Sequence, residues 1–160
     1  MNNPSSNLQI RMAGPTDLPS LLMLYSDLIG EDEPASHDLA EGTYRQILDN
    51  PGLCIFLGTR AGQAVTTCLL ITVPNLTRGC RPFAIIENVV TLEAFRGKGF
   101  GETIVRAAVD AAFKRRCYKI MLMSGVKNKA AHRFYRRIGF SQGKVGFELR
   151  APGYPPRTIS

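Results

Sequence analysis

Glu87 is a lone carboxylate inside the apolar, β-branched run Phe83 to Leu92, which only Asn88 otherwise interrupts. An isolated charge in such a run is costly. Burial also raises a carboxylate's pKa, which makes it a better general base near neutral pH. The alternative is a structural ion pair with an arginine. Nine residues further on, Arg96 and Lys98 alternate with Gly97, Gly99 and Gly101. Ile104, Val105, Ala108, Ala111 and Ala112 then recur at helical spacing. A buried strand, a glycine-rich loop and a helix in that order aim free backbone N–H groups and the positive end of a helix dipole at one point. An anion belongs there, and the most economical one is a phosphate. The bland alternative is a plain strand-to-helix turn.

Two common phosphate loops are excluded. No glycine-lysine pair is followed by Ser or Thr at the spacing of a Walker loop. The dinucleotide fingerprint Gly-x-Gly-x-x-Gly fails because Glu102 stands where the third glycine must be. What remains is Arg96-x-x-Gly99-x-Gly101 after a strand. A second pattern lies downstream: Asn128, Ala131, Phe134-Tyr135 and Gly139-Phe140. In order and spacing the two patterns resemble the coenzyme A loop and the second signature of the GNAT superfamily of acetyl-CoA-dependent N-acetyltransferases. They cover about the last half of the chain. The first half resembles the family only in its coarse element order.

The resemblance implies a fold, a cosubstrate and a set of roles. The fold is α/β: a central mixed, mostly antiparallel sheet with splayed fourth and fifth strands and helices on both faces. Acetyl-CoA would lie in the splay. Its arm would pair with the backbone around Val89, Val90 and Thr91, and its pyrophosphate would sit on Arg96, Gly97, Lys98, Gly99, Phe100 and Gly101. A backbone N–H near Val89 would face the oxyanion. Asn128 would touch the arm, with helix N-capping as its other use. Tyr135 would meet the coenzyme sulfur and donate a proton to the leaving thiolate, since a phenol with an ordinary pKa of ~10 keeps its proton at neutral pH. Its alternative is packing against Phe134. Glu87 resembles the glutamate of the family's glucosamine-phosphate N-acetyltransferases, whereas other branches place the base elsewhere or use water. Thr91 and Leu92 depart from the family's common Val-Asp, a contact that backbone groups make.

The elements that must position these residues can be read in order. Leu8 to Met12 alternates as a short strand, and Gly14-Pro15 ends it. Thr16 or Asp17 caps a helix from Pro19 to about Ile29. A second helix spans about Ser36 to Asn50, and Pro51-Gly52 closes it. Leu53 to Thr59 and Ala64 to Val73 form a hairpin around Gly62. After a loop over 74–82 come the strand, glycine loop and helix already named, then a strand over 118–123 and a helix over 128–138. Gly139 stops that helix. Phe140 to Gly143 and Val145 to Arg150 read as closing strands. Residues 1–150 thus read as one acetyltransferase domain and 151–160 as a proline-rich tail.

Composition sets the remaining bounds. At 160 residues the chain suits a single core. Met1 to Asn7 is polar, which predicts no signal peptide, and no apolar run approaches the ~18 residues of a membrane span. Cys54, Cys68, Cys80 and Cys117 form no Cys-x-x-Cys pair, and His37 and His132 lie far apart. No metal site is expected, and a cytoplasmic location is. The formal charge of +7 divides unevenly: residues 1–75 hold three basic and eight acidic residues, and residues 76–160 hold 17 and five. The positive half coincides with the phosphate motif. The acidic excess gathers in Asp27, Glu31, Asp32, Glu33, Asp38 and Glu41, a possible rim for a cationic amine. The reading is therefore an N-acetyltransferase that moves acetyl from acetyl-CoA to a primary amine, small or peptidyl, by direct attack. No nucleic acid, membrane or metal is expected, and a homodimer is compatible with the family. The rivals are a non-catalytic acyl-CoA-binding module and a basic nucleic-acid-binding domain. No aromatic-basic interleaving supports the latter.

Overall fold

The computed structural model describes residues 8–28 and 35–154. Backbone contacts divide the chain into two compact units, residues 1–122 and 123–160. The first contains β1 (Gln9–Met12), α1 (Leu18–Leu28), α2 (His37–Asp49), β2 (Leu53–Arg60), β3 (Gln63–Val73), α3 (Thr77–Cys80), β4 (Phe83–Thr91), α4 (Phe100–Lys114) and β5 (Ile120–Met121). A single 3₁₀ turn, Glu93–Phe95, separates β4 from the glycine loop. The second unit contains α5 (Lys129–Ile138).

The five strands form one sheet in chain order. The β1–β2, β2–β3 and β3–β4 pairs are antiparallel, and β4–β5 is parallel. One face of the sheet packs on α1 and α2, where Leu21, Leu24 and Tyr44 meet Ile55, Leu57 and Val90. The other face meets α4: the Cys68 thiol reaches the Ile104 carbonyl at 3.7 Å. The alternation of strand side chains sorts residues between the two faces. Tyr44 also donates its hydroxyl to the Gly14 carbonyl at 2.7 Å, which ties α2 to the turn before α1. Asp17 is buried at the head of α1. Its carboxylate accepts from Arg11 at 2.6 and 2.7 Å and from the Gly14 N–H at 2.7 Å. Arg11 therefore holds the Asp17 carboxyl below the usual carboxylate range.

Three expectations change. The loop over 74–82 contains the single turn α3, broken by left-handed backbone at Arg78 and Gly79. The strand over 118–123 shortens to two residues, Ile120 and Met121. No strand forms at 140–143 or 145–150: Val145, Phe147 and Leu149 are 81%, 93% and 99% exposed. An alternating pattern marks which residues could share a face, but a strand also needs a neighbour for its backbone groups.

Gly58 fixes how closely β2 and β3 approach under α4. A Cβ there would lie 2.5 Å from the Thr66 Cγ2 and 3.6 Å from the Ile104 Cδ1. Thr66 is fully buried and cannot swing away, because its hydroxyl is held by the Val90 carbonyl at 2.8 Å. Gly58→Ala should therefore destabilise the fold by about 1–3 kcal/mol, the usual cost of overpacking. A thermal melt reads this directly, and an unchanged midpoint would show that the sheet opens at no cost.

Candidate active site

β4 is paired along one edge only for most of its length. Its register with β5 consists of Ala84 with Ile120 and Ile85 with Met121. Beyond Ile85 the described residues supply no strand on that side, so the expected splay of the fourth and fifth strands is present. On the other edge, Glu87 faces Leu69 and Val90 faces Thr67. Asn88 and Val89 thus oppose the single residue Cys68, which is a β-bulge. Asn88 has φ of 50°. Asparagine is among the few residues other than glycine that tolerate this left-handed backbone. The asparagine inside a β-branched run was the one available signal of the bulge, and the sequence reading did not use it.

The bulge also decides where Glu87 points. Directly paired residues share a face, so Glu87 lies with Leu69, and Val90 with Thr67, on the face covered by α1. In a straight strand Glu87 and Val90 would point to opposite faces. Among the described residues Glu87 makes no ion pair, so the structural ion pair finds no support. Burial pushes the Glu87 carboxyl above its usual range, and the Asn88 backbone N–H acts weakly in the opposite direction.

β4 leaves the sheet through a hydrogen-bonded exit. The Thr66 hydroxyl donates to the Val90 carbonyl, so the Thr91 hydroxyl must donate to Thr66 across their 2.8 Å contact. The Arg96 Nε donates to the Thr91 carbonyl at 3.0 Å. The chain then reaches Gly97 and Gly99, both left-handed at φ of 72° and 82°. Gly99 is the N-cap of α4 and has no side chain to satisfy the first turn. The first helical bond of α4 runs from Thr103 to Gly99, so the N–H groups of Phe100, Gly101 and Glu102 precede the ladder. Such a helix head favours an anion. Lys98 donates to the Ala94 carbonyl at 2.7 Å. Glu102, in the first turn of α4, accepts from Arg106 at 2.8 Å, which offsets its charge there. An open depression of about 500 Å³ runs from Lys98 and Gly99 along α4 past Thr103 to Asp110.

In the second unit, Asn128 caps α5, its Oδ1 accepting from the Ala131 N–H at 3.0 Å. Tyr135 lies two turns on, its ring edge-on to Phe134 and Phe140 at 5.0 and 6.0 Å. Gly139, at φ of 112°, closes the helix with the Phe140 N–H on the Tyr135 carbonyl. His132 donates from Nε2 to the Gly125 carbonyl at 2.9 Å.

The acidic rim divides on inspection. Glu31, Asp32 and Glu33 lie outside the described residues. Asp27 is bound to Arg96 at 2.9 Å, and Glu41 is flanked by His37 and Arg45 at 3.8 and 3.5 Å.

A sequence model of the acetyltransferase (GNAT) family matches residues 21–140, which span both units. A glucosamine 6-phosphate N-acetyltransferase of Trypanosoma brucei brucei is 28% identical over 134 residues, 84% of this chain and 89% of the relative. An N-alpha-acetyltransferase of Arabidopsis thaliana is 30% identical over 135 residues, 82% of this chain and 65% of the relative. Among solved structures, a putative acetyltransferase from Agrobacterium tumefaciens strain C58 is 49% identical with a TM-score of 0.87, covering 89% of this chain and 99% of that one. The chain belongs to the acetyltransferase (GNAT) family.

The raised Glu87 pKa has a stability signature. Between the unfolded and folded pKa values the native state binds the extra proton, so stability falls as pH rises through that window. Above it the deficit is complete. Glu87→Gln should therefore melt at a higher temperature than the wild type at pH 7, with the gap closing as pH drops below the ordinary glutamate value of ~4.3. A variant less stable at pH 7 would mean that Glu87 sits in a favourable charged contact.

Proposed function

We propose that this protein transfers an acetyl group from acetyl-CoA to a primary amine in one direct attack. The observation that carries the reading is the β5-side edge of β4, beside which the described residues supply no strand beyond Ile85, leading into the side-chain-free cap of α4. The free edge offers backbone groups to an extended amide chain, as an added strand would use them. The helix head offers N–H groups to a pyrophosphate, with Arg96 and Lys98 beside it.

The reaction needs an amine without its proton, a stabilised oxyanion and an outlet for the thiolate. Glu87, half-buried and raised in pKa, takes the proton from the amine nitrogen directly or through water. The nitrogen then forms its bond to the thioester carbonyl carbon. The Val89 N–H serves the oxyanion. The C–S bond breaks, Tyr135 gives its phenolic proton to the sulfur, and the nitrogen, which after attack carries one proton more than an amide can hold, returns that proton to the tyrosinate through solvent. Asn128 positions the cosubstrate arm in addition to capping α5. The relatives are by name a glucosamine 6-phosphate N-acetyltransferase and an N-alpha-acetyltransferase, which keeps the acceptor at the level of a primary amine. The cationic-acceptor idea loses two of its supports, since Asp27 and Glu41 already have basic partners.

Thiol release from acetyl-CoA across a panel of amines tests the activity, and no release with any acceptor would favour the non-catalytic acyl-CoA-binding reading. Acetyl-CoA should also raise the melting temperature, as any native-state ligand does. Gly99→Asp should abolish that rise by placing a charge and a strained backbone at the phosphates. Tyr135→Phe should keep the rise and lower kcat by about 10²-fold, the lower end for lost acid catalysis. Full turnover in the Tyr135→Phe variant would leave the tyrosine as packing alone.

A further inference from the structure

Asp27 has no local reason to be where it is. It lies in the last turn of α1, where the helix dipole disfavours a carboxylate, and that turn holds no basic residue. Its partner comes from 69 residues away: the Arg96 Nη2 donates to its Oδ2 at 2.9 Å. The same guanidinium donates from Nε to the Thr91 carbonyl at 3.0 Å. Arginine has five N–H donors in a rigid plane, so two anchors fix that plane and leave three donors for a ligand. The Thr91 hydroxyl continues the chain of bonds to Thr66 and on to the Val90 carbonyl. α1, the phosphate loop and the exit of β4 are thereby joined through one side chain.

We propose that Asp27 is a positioning residue for anion binding, holding the Arg96 guanidinium in the orientation that receives the pyrophosphate of acetyl-CoA. This inference rests on the proposed cosubstrate site. The Arg96 and Asp27 side chains are 57% and 32% exposed. An ion pair that open contributes little to stability, so its effect falls on the ligand. Without Asp27, Arg96 has one anchor and must be ordered anew at each binding event, a cost typical of a long side chain fixed at an interface. The net field argues the other way, since removing a carboxylate makes the loop more positive. The geometry sets the ordering effect above the field, because Asp27 is already neutralised by the cation it holds.

The test uses the full chain and acetyl-CoA titrated by calorimetry, with four proteins: wild type, Asp27→Ala, Arg96→Ala and the double variant. Asp27→Ala, which removes the acceptor oxygen as well as the charge, should weaken Kd by about 3- to 10-fold, the ordering cost of one such side chain. It should not lower the ligand-free melting temperature or kcat at saturating acetyl-CoA. In the Arg96→Ala background it should have no further effect, because it acts only through Arg96. An unchanged or tighter Kd in Asp27→Ala, or an equal penalty in both backgrounds, overturns the inference while leaving the site assignment intact. If Arg96→Ala itself binds as tightly as wild type, the loop assignment fails and the role of Asp27 fails with it.

Discussion

The candidate site depends on a strand that is paired along one edge only. Backbone N–H and C=O groups are obligatory hydrogen-bonding groups, and a strand edge without a neighbour must satisfy them with water or with something else that is extended. β5 accompanies β4 for two residues and no further. From Ile86 to Thr91 the described residues supply no strand on that side, while the opposite edge is held by β3. This is the stretch to which the proposed cosubstrate arm would add itself.

Electrostatics follow the same division. The positive charge near the loop is partly paired: Arg96 is bound to Asp27 and Arg106 to Glu102, while Lys98, bound to a neutral backbone carbonyl, keeps its charge. The peptide dipoles at the head of α4 add a fixed positive end that no side-chain pairing removes. Glycine at the cap matters for this reason. Any Ser, Asp or Asn at position 99 would offer an oxygen to the first turn and occupy the donors that an anion needs.

Much of this was legible in the sequence. The strand, glycine loop and helix over 83–114 announced themselves because the one change of period, from buried run to 3.6-residue spacing, falls across the glycines. Asn128 as a cap and Gly139 as a stop were legible because each residue type has one strong backbone reason to be there. The bulge left one mark only, Asn88 as a residue that tolerates left-handed backbone, since the apolar residues around it read the same with or without an extra member. The Asp27–Arg96 pair was not legible, because partners 69 residues apart leave no mark on local spacing. The alternation at Val145, Phe147 and Leu149 misled for a related reason: periodicity describes a strand's own faces and is silent about its neighbours.

Asn88 has a consequence for chain length as opposed to composition. Glu87 shares its face with Leu69 and Val90 shares its own with Thr67, although they lie three positions apart. Strict alternation from Glu87 would bring the chain to the same face at the second residue, so the bulge absorbs one surplus residue without disturbing either side. A β4 shorter by Asn88 alone would keep Ile86 and Val90 on the faces they now cover, with the ladder to β3 running straight through. The core has no use for that residue. The extra peptide unit leaves Asn88 and Val89 to share the single partner Cys68, so this stretch of β4 lacks a regular ladder on the β3 side just where the described residues supply no strand on the other.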